Sequence, residues 1–497
     1  MASSGKTVAM LADHVGGTLI GRPDRVVRDV THDSRQAGEG MLYVAIRGER
    51  ADGHTFLSSA IQAGAAAVCV DHPTDVAVPQ VVVDDTRAML GKLAAAVHDH
   101  PSRAVDVIGV TGTNGKTTVT HFVESMAQHA GKVTGLIGTI HTRSAGSTIP
   151  ATLTTPEASD FQRLLARMRD EGVSVVAAEV SSHALELGRV RGTRFAVAAF
   201  TNLSQDHLDF HGDMTSYLSA KRRLFTDYEV GTAVVNVDDP AGADLAASYE
   251  GELIEVGRGG DVSIDDVEPV DAGFTRFHLE TPWGAVNLSA PVVGRFNLSN
   301  LAMAAACCVA AGIEFATVAD ALPHVAAVPG RFEVVSGDDP ITVVVDYAHT
   351  PEAVLTAVDA GRQLSRGRVV ALIGAGGDRD RAKRPAMGAA ISSADFAVIT
   401  SDNPRSENPE EIAAAVLSGV EPHSDHFLEI DRRRAIDLAI GAAEDGDVVL
   451  ILGRGHEPEQ DLGPERVPFD DREVAAESLQ RRRRSAGTDP ESGSMSP

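Results

Sequence analysis

The sequence predicts an α/β fold divided among three domains. Short apolar strands alternate with helical patterns along most of the chain, which is typical of parallel sheets covered by helices. A glycine-rich turn follows one of these strands near residue 111. The length of 497 residues exceeds what one hydrophobic core usually serves. These observations predict domains at 1–103, 104–328 and 329–480, followed by a disordered tail at 481–497.

The composition narrows the class of protein. Apolar residues make up 43% of the chain, as in ordinary globular proteins. The formal net charge of −26 argues against binding to nucleic acid or to an anionic membrane surface. The three cysteines lie in apolar surroundings without the spacing of metal ligands, and neither a signal-peptide pattern nor a membrane-length apolar run is present. We therefore expect a soluble, cytoplasmic protein that is a monomer.

The first predicted domain contains short strands and two polar loops. The strands are expected at 42–46, 66–70 and 81–83, with a helix over 56–63. The polar loops are the stretch that contains His32 and Ser34 and the stretch that contains Glu49, Arg50 and Ala51. Taken alone, such loops are more often solvated turns than binding sites.

The glycine-rich turn of the second domain lies between an apolar strand and a predicted helix. Backbone N–H groups in such a turn point at phosphate oxygens, and the helix N-terminus adds favourable partial charge. Lys116 can reach the outer phosphates, and the Thr117 hydroxyl can hold Mg²⁺. Val110 replaces the first glycine of the general pattern, whereas Gly112 and Gly115 keep their positions. An ordinary glycine turn is the alternative, but the strand–turn–helix order favours a site for ATP or GTP.

Three further residues follow neighbouring strands of this domain. Glu179 follows a strand at 173–178, and His207 lies in a polar loop after a strand at 195–200. Ligands of open α/β sheets bind beyond the carboxyl ends of the strands, and Mg²⁺ prefers hard oxygen ligands. A capping glutamate and a structural histidine are the alternatives. Lys221, on the next predicted helix, would by composition alone lie on a solvated basic face.

The third domain is predicted to be a doubly wound, Rossmann-like α/β unit. Its strands are expected at 342–345, 369–373, 397–400 and 448–452. A dinucleotide fingerprint after the second strand is excluded, because Arg379 stands where the third glycine is required. After the third strand, Pro404 stiffens a loop in which Arg405 either grips a carboxylate or faces solvent. The loop 453–457 after the last strand is similarly ambiguous.

Taken together, these motifs resemble those of the Mur ligases, the ATP-dependent amino-acid-adding enzymes of peptidoglycan synthesis. The stretch 111–118 resembles the P-loop variant of that family, and 294–300 resembles its adenine-side motif. The stretch 346–351 resembles the segment by which the C-terminal domain reaches the nucleotide. The tetrad 402–405 resembles that of the branch that adds meso-diaminopimelate. The likeness covers the chain up to the arginine-rich tail.

The resemblance implies roles for residues of all three domains. The residues implied for ATP are Thr111, Gly112, Thr113, Asn114, Gly115, Lys116, Thr117, Thr118, Asn297, Asn300, Arg331 and Asp346. Those implied for a uridine-nucleotide-linked muramoyl dipeptide are His32, Ser34, Glu49, Arg50, Ala51, Thr154, Thr155, Ser181 and Arg189. Those implied for diaminopimelate are Arg379, Asp402, Asn403, Pro404, Arg405, Gly453 and Glu457. The implied catalytic residues are Lys116, Glu179, His207 and Lys221, and the implied Mg²⁺ ligands are Thr117, Glu179, His207 and Lys221, the last as a carbamate.

The resemblance also implies an activity. The N-terminal domain would bind the uridine nucleotide, the central domain ATP and Mg²⁺, and the C-terminal domain the amino acid. ATP would convert the D-glutamyl carboxylate of UDP-N-acetylmuramoyl-L-alanyl-D-glutamate to an acyl phosphate, which the amine of meso-diaminopimelate then attacks. Two alternatives stay open: the same type of ligase adding L-lysine or another diamino acid, and a P-loop kinase or nucleotide-gated binding protein that forms no peptide bond.

Overall fold

The fold comes from a computed structural model that describes residues 5–48, 51–149, 153–271, 273–337 and 339–486. Its contacts divide the chain into two compact units. The first unit comprises Met1–Leu203, Thr215–Val262 and Met303–Ala321. The second unit comprises Ser204–Met214, Ser263–Ala302 and Leu322–Pro497.

The N-terminal part of the first unit is a five-stranded sheet in the order β2-β7-β6-β5-β4, with a separate pair β1-β3. Its strands are β1 (Lys6–Thr7), β2 (Thr18–Ile20), β3 (Val26–Val27), β4 (Asp29–Thr31), β5 (Met41–Val44), β6 (Ala67–Val70) and β7 (Gln80–Val82). Its helices are α1 (Val8–Val15), α2 (Leu57–Gln62) and α3 (Thr86–Val97), with a 3₁₀ turn at Gly53–Phe56. Asp85 caps α3 by accepting a hydrogen bond from the Ala88 amide.

The rest of the first unit is built on an eight-stranded sheet in the order β11-β10-β9-β12-β8-β13-β14-β15. The strands are β8 (Asp106–Thr111), β9 (Thr134–Ile137), β10 (Thr142–Ser144), β11 (Ser147–Ile149), β12 (Val175–Glu179), β13 (Arg194–Phe200), β14 (Glu229–Asn236) and β15 (Glu252–Val256). The helices along this stretch are α4 (Lys116–His129), α5 (Ala158–Asp170), α6 (Ser182–Glu186), α7 (Leu208–His211), α8 (Met214–Thr226) and α9 (Pro240–Ser248), of which α7 belongs to the second unit.

The position of β8 decides where the glycine-rich turn lies in the sheet. This strand pairs in parallel with β12 on one side and with β13 on the other. Ile108 and Val110 on β8 are completely buried, as expected for a parallel strand covered on both faces. The glycine-rich turn therefore leaves the sheet at its centre, beside the ends of two neighbouring strands.

The second unit contains a three-stranded antiparallel sheet and a six-stranded sheet in the order β19-β20-β24-β21-β22-β23. Its strands are β16 (Ser263–Asp271), β17 (Phe274–Thr281), β18 (Gly284–Ala290), β19 (Glu333–Val334), β20 (Thr342–Asp346), β21 (Val369–Ile373), β22 (Phe396–Ile399), β23 (His426–Leu428), β24 (Val448–Leu452), β25 (Glu459–Asp461) and β26 (Arg466–Pro468). The remaining helices are α10 (Arg295–Ala310), α11 (Phe315–Ala321), α12 (Pro351–Leu364), α13 (Lys383–Ile391), α14 (Pro409–Leu417), α15 (Arg432–Ala442) and α16 (Asp471–Ala486). Of these, α11 and the part of α10 from Met303 onwards belong to the first unit.

The α/β class and the mostly parallel sheets are confirmed. The disordered tail was placed too early, because α16 continues to Ala486 and so includes the first six residues of the predicted tail. Asp471, at the start of α16, is fully buried in an ion pair with Arg432, which joins α16 to the start of α15. Residues 487–497 lie outside the described part of the chain. No described helix is both long and apolar enough to cross a membrane.

Candidate functional site

The glycine-rich turn has the backbone that anion binding requires. Gly112 has a φ of 149° and Gly115 a φ of 84°, values that residues with a side chain rarely adopt. Gly115 is the N-cap of α4, which begins at Lys116. The turn is thus followed directly by a helix N-terminus, where the orientation of the backbone N–H groups and the helix dipole favour a phosphate.

Two residues at the end of β13 hold the turn in place. The Asn114 amide donates to the Asn202 side chain over 2.9 Å, and the Thr113 amide donates to the Asn202 carbonyl over 2.9 Å. The Thr201 hydroxyl donates to the Asn114 carbonyl over 2.5 Å. Thr201 and Asn202 were assigned no role from the sequence. The sequence signal that could have pointed to them is their position directly after a buried strand.

Gly112→Ala should destabilise this turn strongly. A Cβ atom at Gly112 would lie 1.9 Å from the Thr201 hydroxyl oxygen, so either the turn or Thr201 must move. We expect the free energy of unfolding to fall by about 2–4 kcal/mol, from overpacking together with an unfavourable backbone conformation. Urea denaturation measures the loss. Gly131→Ala is the matched control, because Gly131 also has a positive φ but nothing lies within 4 Å of its added Cβ; an equal loss in both variants would contradict the clash with Thr201.

Lys116 and Thr117 face the interior of the turn. The Lys116 ammonium donates to the carbonyls of Gly112 and Thr113 over 2.9 and 2.8 Å. The Thr117 hydroxyl donates to Glu179 Oε2 over 3.0 Å. The loop lysine, the hydroxyl that follows it and the carboxylate predicted from the neighbouring strand are therefore brought together. Thr111 and Thr118, also predicted for ATP, are buried on either side of the turn.

Glu179 is fully buried at the carboxyl end of β12 and is held by several donors. The Thr139 amide donates to Oε1 over 2.7 Å, and the Thr139 hydroxyl donates to Oε2 over 3.0 Å. Three hydrogen bonds, including that of Thr117, fix the carboxylate next to the glycine-rich turn. The oxygens of Thr117 and Glu179 are hard ligands of the kind Mg²⁺ takes, so these two residues fit a magnesium ion. Thr139 is a third residue that sequence reasoning missed.

Four residues predicted for the dipeptide substrate gather around the strand end of Glu179. The Thr155 hydroxyl donates to the Glu179 carbonyl over 2.8 Å and accepts from the Ser181 amide over 3.1 Å. Thr154 Oγ1 lies 3.1 Å from the Thr139 hydroxyl. Arg189 donates to the Thr155 carbonyl over 3.4 Å. A substrate carboxylate held by this group would therefore lie close to Glu179.

Lys221 is buried on α8 rather than lying on the solvated face that its composition indicates. Its ammonium nitrogen lies 4.2 Å from the centre of the Tyr217 ring. The Tyr217 hydroxyl is 3.2 Å from Thr113 Oγ1, so α8 is hydrogen-bonded to the glycine-rich turn. A lysine is rarely buried without a functional or structural reason. Tyr217 is a fourth residue without a role assigned from the sequence.

The predicted nucleotide-sugar residues of the N-terminal domain are only partly described. His32 Nδ1 lies 3.2 Å from the Ser159 hydroxyl on α5, which joins this loop to the large sheet of the first unit. Ser34 is half-buried in the same loop, and Ala51 is exposed. The predicted residues Glu49 and Arg50 lie outside the described part of the chain.

Residues predicted for the nucleotide also lie in the second unit. Asn297 and Asn300 are buried on α10, where Asn297 Nδ2 donates to the Val293 carbonyl over 3.0 Å. Asp346, at the end of β20, accepts from the Phe332 and Ala348 amides over 2.6 and 2.8 Å. Burial raises the pKa of Asp346 even though these amides and Arg331 oppose that rise. The Arg331 guanidinium lies 4.5 Å from the centre of the Tyr347 ring.

His207 lies in a polar cluster of the second unit. It has a φ of 54°, and its Nε2 is 3.4 Å from Asp206 Oδ2. Asp206 also lies 3.5 Å from His349 Nε2 and 3.6 Å from Lys383 Nζ. Burial alone would raise the pKa of Asp206, but the hydrogen bond with His349 and the nearby charge of Lys383 outweigh burial and hold the pKa well below its ordinary value. Asp206 stays ionised and so orients the histidine beside it.

The residues predicted for diaminopimelate converge at the carboxyl ends of β21, β22 and β24. Asn403 donates to Glu457 over 2.6 Å, and its own side-chain oxygen accepts from the Asp461 amide over 2.8 Å. Gly453 has a φ of 111°, and an added Cβ would lie 2.8 Å from Asp402 Oδ2. Burial, followed by the charge of Asp402, raises the pKa of Glu457. The cluster is therefore acidic on one side.

Arg405 supplies the cationic side of this cluster. It has a φ of 51°, unusual for a residue with a side chain, and follows Pro404 in the loop. Its guanidinium donates to the Gly377 carbonyl over 2.7 Å. A Cβ added at Gly376 would lie within 4 Å of both Arg405 and Arg379, so the two arginines flank this glycine. Arg379 itself is exposed. Separated acidic and basic groups suit a zwitterionic amino acid.

Comparisons with known proteins agree with this arrangement. Three family models match in succession: "Mur ligase family, catalytic domain" over residues 26–98, "Mur ligase middle domain" over 110–308 and "Mur ligase, glutamate ligase domain" over 330–455. Three successive matches agree with the predicted three-domain organisation.

Relatives match along nearly the whole chain. A protein of Geobacillus thermodenitrificans named UDP-N-acetylmuramoyl-L-alanyl-D-glutamate–2,6-diaminopimelate ligase is 45% identical, covering 93% of this chain and 96% of its own. A protein of Gloeobacter violaceus with the same name is 46% identical, covering 93% and 95%. A solved structure of a ligase of that name superposes with a TM-score of 0.69 at 29% identity, covering 96% and 99%. With this identity and coverage, the chain belongs to the Mur ligase family.

Proposed function

We propose that this protein is an ATP-dependent ligase that joins meso-2,6-diaminopimelate to the D-glutamyl carboxylate of UDP-N-acetylmuramoyl-L-alanyl-D-glutamate. The similar proteins of Geobacillus thermodenitrificans and Gloeobacter violaceus carry the name of this activity. The observation that carries the proposal is the loop after β22, where Arg405 lies on one side and Asn403 with Glu457 on the other. A diamino dicarboxylate needs both a cation for its carboxylates and acceptors for its ammonium groups.

ATP would be bound by the glycine-rich turn of the first unit. The amides of the turn and the N-terminus of α4 bind phosphate oxygens, and Lys116 exchanges its two backbone carbonyl partners for the outer phosphates. Asn297 and Asn300 on α10 would contact the base, and Arg331 and Asp346 would contact the rest of the nucleotide. Phosphoryl transfer asks the protein chiefly for positioning and neutralisation of charge, which these groups supply.

The reaction begins with a carboxylate, a poor acyl donor because oxide is a poor leaving group. A glutamyl oxygen attacks the γ-phosphorus, the bond to ADP breaks, and an acyl phosphate forms. The neutral amine then attacks the acyl carbon, and inorganic phosphate leaves as the amide forms and the amine loses a proton. Thr155, Ser181 and Arg189 orient the glutamyl carboxylate near the turn, and Lys116 stabilises charge that develops on the transferred phosphoryl oxygens.

Magnesium would be held by Thr117 and Glu179, with His207 and a carbamate on Lys221 as further proposed ligands. When bound, it would neutralise phosphate charge and polarise the transferred group. Thr139 keeps Glu179 in place through two hydrogen bonds. Because Glu179 is fully buried and fixed by three donors, its carboxylate needs little reorganisation to accept a cation.

Supplying amino acids one at a time tests the proposed substrate. With ATP, Mg²⁺ and the dipeptide nucleotide present, we expect phosphate release and a tripeptide nucleotide by mass spectrometry only with diaminopimelate. Equal turnover with L-lysine would replace this proposal with a lysine-adding ligase. Phosphate transfer or nucleotide binding without any amide product would favour a kinase or a nucleotide-gated binding protein instead.

Lys221→Ala should leave the enzyme nearly inactive, with a loss of about a thousandfold or more, as expected when a group that positions transferred charge is removed. The carbamate would turn a buried cation into an anion beside the phosphate-binding turn. Protein exchanged into ¹³C-bicarbonate should show a carbamate carbon signal by NMR that Lys221→Ala lacks. Lys132→Ala removes an exposed lysine and is the control. Normal turnover of Lys221→Ala, or an unchanged carbamate signal, would contradict this role.

We further propose a cytoplasmic monomer. All three cysteines, Cys69, Cys307 and Cys308, are free and buried, as is usual in a reducing compartment, and ATP is an intracellular substrate. Light scattering during gel filtration should give a mass near 52.0 kDa. A mass of twice that value would contradict the monomer.

A further inference from the structure

Three side chains of the types that bind transition metals come together in the N-terminal part of the first unit, close in the sequence to the loop 49–51 but without any residue assigned to the reaction. His54 belongs to the 3₁₀ turn Gly53–Phe56, and Asp71 and His72 directly follow β6. One nitrogen or oxygen of each residue lies within 4.8 Å of those of the other two. In the described part of the chain, no other three histidine, cysteine or acidic residues come together in this way.

The ligand atoms converge on Asp71. Its Oδ1 lies 3.2 Å from His54 Nε2 and 2.5 Å from His72 Nδ1. The two imidazole rings stack with their centres 4.9 Å apart and their planes at 28°, so both nitrogens face the same carboxylate oxygen. Ligands about 2.0–2.2 Å from a tetrahedral metal lie roughly 3.3 Å apart, close to the spacing of His54 and Asp71. His72 is instead hydrogen-bonded directly to Asp71, so its ring must move outward when an ion binds.

Asp52 fixes which nitrogen of His54 carries the proton. His54 Nδ1 lies 2.7 Å from Asp52 Oδ1, and the Asp71 amide donates to His54 Nε2 over 3.4 Å. This arrangement favours the neutral tautomer with the proton on Nδ1, and a metal ion would take the Nε2 lone pair in place of the Asp71 amide. A carboxylate behind a histidine in this way is the usual outer partner of a metal-binding imidazole.

Arg47 supplies positive charge at the same carboxylate. Its Nε lies 2.7 Å from Asp71 Oδ2, and its Nη2 donates to Asp71 Oδ1 over 3.2 Å. The Arg47 side chain is 61% exposed, so it can turn towards solvent without leaving a buried cavity. Asp71 thus attracts positive charge, and a metal ion could displace the Arg47 guanidinium that now pairs with it.

We propose that His54, Asp71 and His72 bind one divalent transition-metal ion of the zinc class. Two imidazole nitrogens and one carboxylate oxygen suit zinc, cobalt or nickel, whereas magnesium prefers oxygen ligands alone. Three protein ligands leave a fourth position for water. The ion ties the turn that contains His54 to the end of β6. This site does not depend on the proposed ligase reaction, and none of its residues is assigned to substrate binding.

Cobalt is the probe, because tetrahedral Co²⁺ absorbs strongly in the visible range. The full-length protein is stripped with a chelator, exchanged into buffer with millimolar Mg²⁺ to occupy oxygen-ligand sites, and titrated with Co²⁺. We expect one equivalent to produce the absorption bands and Zn²⁺ to abolish them by displacement. Titration with Zn²⁺ in a calorimeter should give the same stoichiometry.

Variants assign the signal to this cluster. His54→Ala and His72→Ala should each abolish the one-equivalent bands, and Asp52→Asn should weaken binding by about 10–100-fold, the usual cost of losing an outer partner. Arg47→Gln should bind more tightly, since a competing cation is removed. Circular dichroism confirms that each variant is folded.

His98→Ala is the matched control, because His98 also lies against a carboxylate in this unit, 3.1 Å from Asp29, but has no second imidazole there. It should titrate like the parent protein. The proposal is overturned if the parent shows no one-equivalent bands, or if His54→Ala and His72→Ala keep them.

Discussion

Lys116→Ala should lower the rate of tripeptide formation by about a thousandfold or more, the scale expected when a fixed positive charge no longer stabilises the transferred phosphoryl group. The ammonium of Lys116 donates hydrogen bonds to the carbonyls of Gly112 and Thr113, so it already lies over the backbone of the glycine-rich turn. ADP formation in the presence of all three substrates measures the rate. ADP binding should weaken much less than the rate falls, since the turn amides and the helix N-terminus remain.

Lys132→Ala is again the control, because it removes an exposed lysine from the same unit. Circular dichroism and thermal unfolding should be unchanged in Lys116→Ala. A variant that keeps a tenth or more of the parent rate would contradict the role of Lys116 and would weaken the assignment of the glycine-rich turn to ATP.

Arg405→Ala should raise the KM for diaminopimelate by roughly a hundredfold or more, because truncating one partner of a hydrogen-bonded charge pair costs about 2–5 kcal/mol. The guanidinium is fixed by the Gly377 carbonyl and by a backbone of positive φ, so it meets a carboxylate without prior ordering. Its loss should leave ATP binding unchanged. Steady-state kinetics with diaminopimelate as the varied substrate measures the effect.

Two further variants sharpen this test. Arg405→Lys keeps the charge but not the bidentate geometry, so it should recover only part of the affinity. Arg466→Ala removes an arginine that is 69% exposed on β26 and should leave the KM unchanged. An unaltered KM for diaminopimelate in Arg405→Ala, or an equal rise of that KM in Arg466→Ala, would show that Arg405 does not bind a carboxylate of diaminopimelate. It would leave the ligase chemistry of the first unit untouched.

Much of the fold could be predicted because its signals are local. Strands β8, β12, β21 and β24 are apolar runs that end in glycine or a polar residue, and that pattern predicts buried parallel strands wherever they occur. Gly112 and Gly115 have backbone conformations that other residues avoid. The glycine-rich turn could therefore be predicted from its own residues. The start of the disordered tail was placed too early because arginines can continue a helix as readily as they can begin a solvated tail.

The supporting contacts could not be predicted, because they join residues far apart in the chain. Thr201 and Asn202 hold the turn only because β13 lies next to β8 in the sheet. Thr139 orients Glu179 across 40 positions, and Tyr217 meets Thr113 across 104. Ser, Thr, Asn and Tyr are common in loops of every kind, so their types alone carry no sign of these partners.

The sequence by itself determined the α/β class, the conformation of the glycine-rich turn and the residue types that we propose for substrate binding, since hydrophobic periodicity and glycine placement act over a few residues. Only the tertiary structure decided that Lys221 is buried, that Glu179 accepts three hydrogen bonds, and that His54, Asp71 and His72 share one point. The physical reason is that parallel sheets place sequence-distant strand ends side by side. Hydrogen bonds and burial then depend on which strands are neighbours rather than on which residues adjoin in the chain.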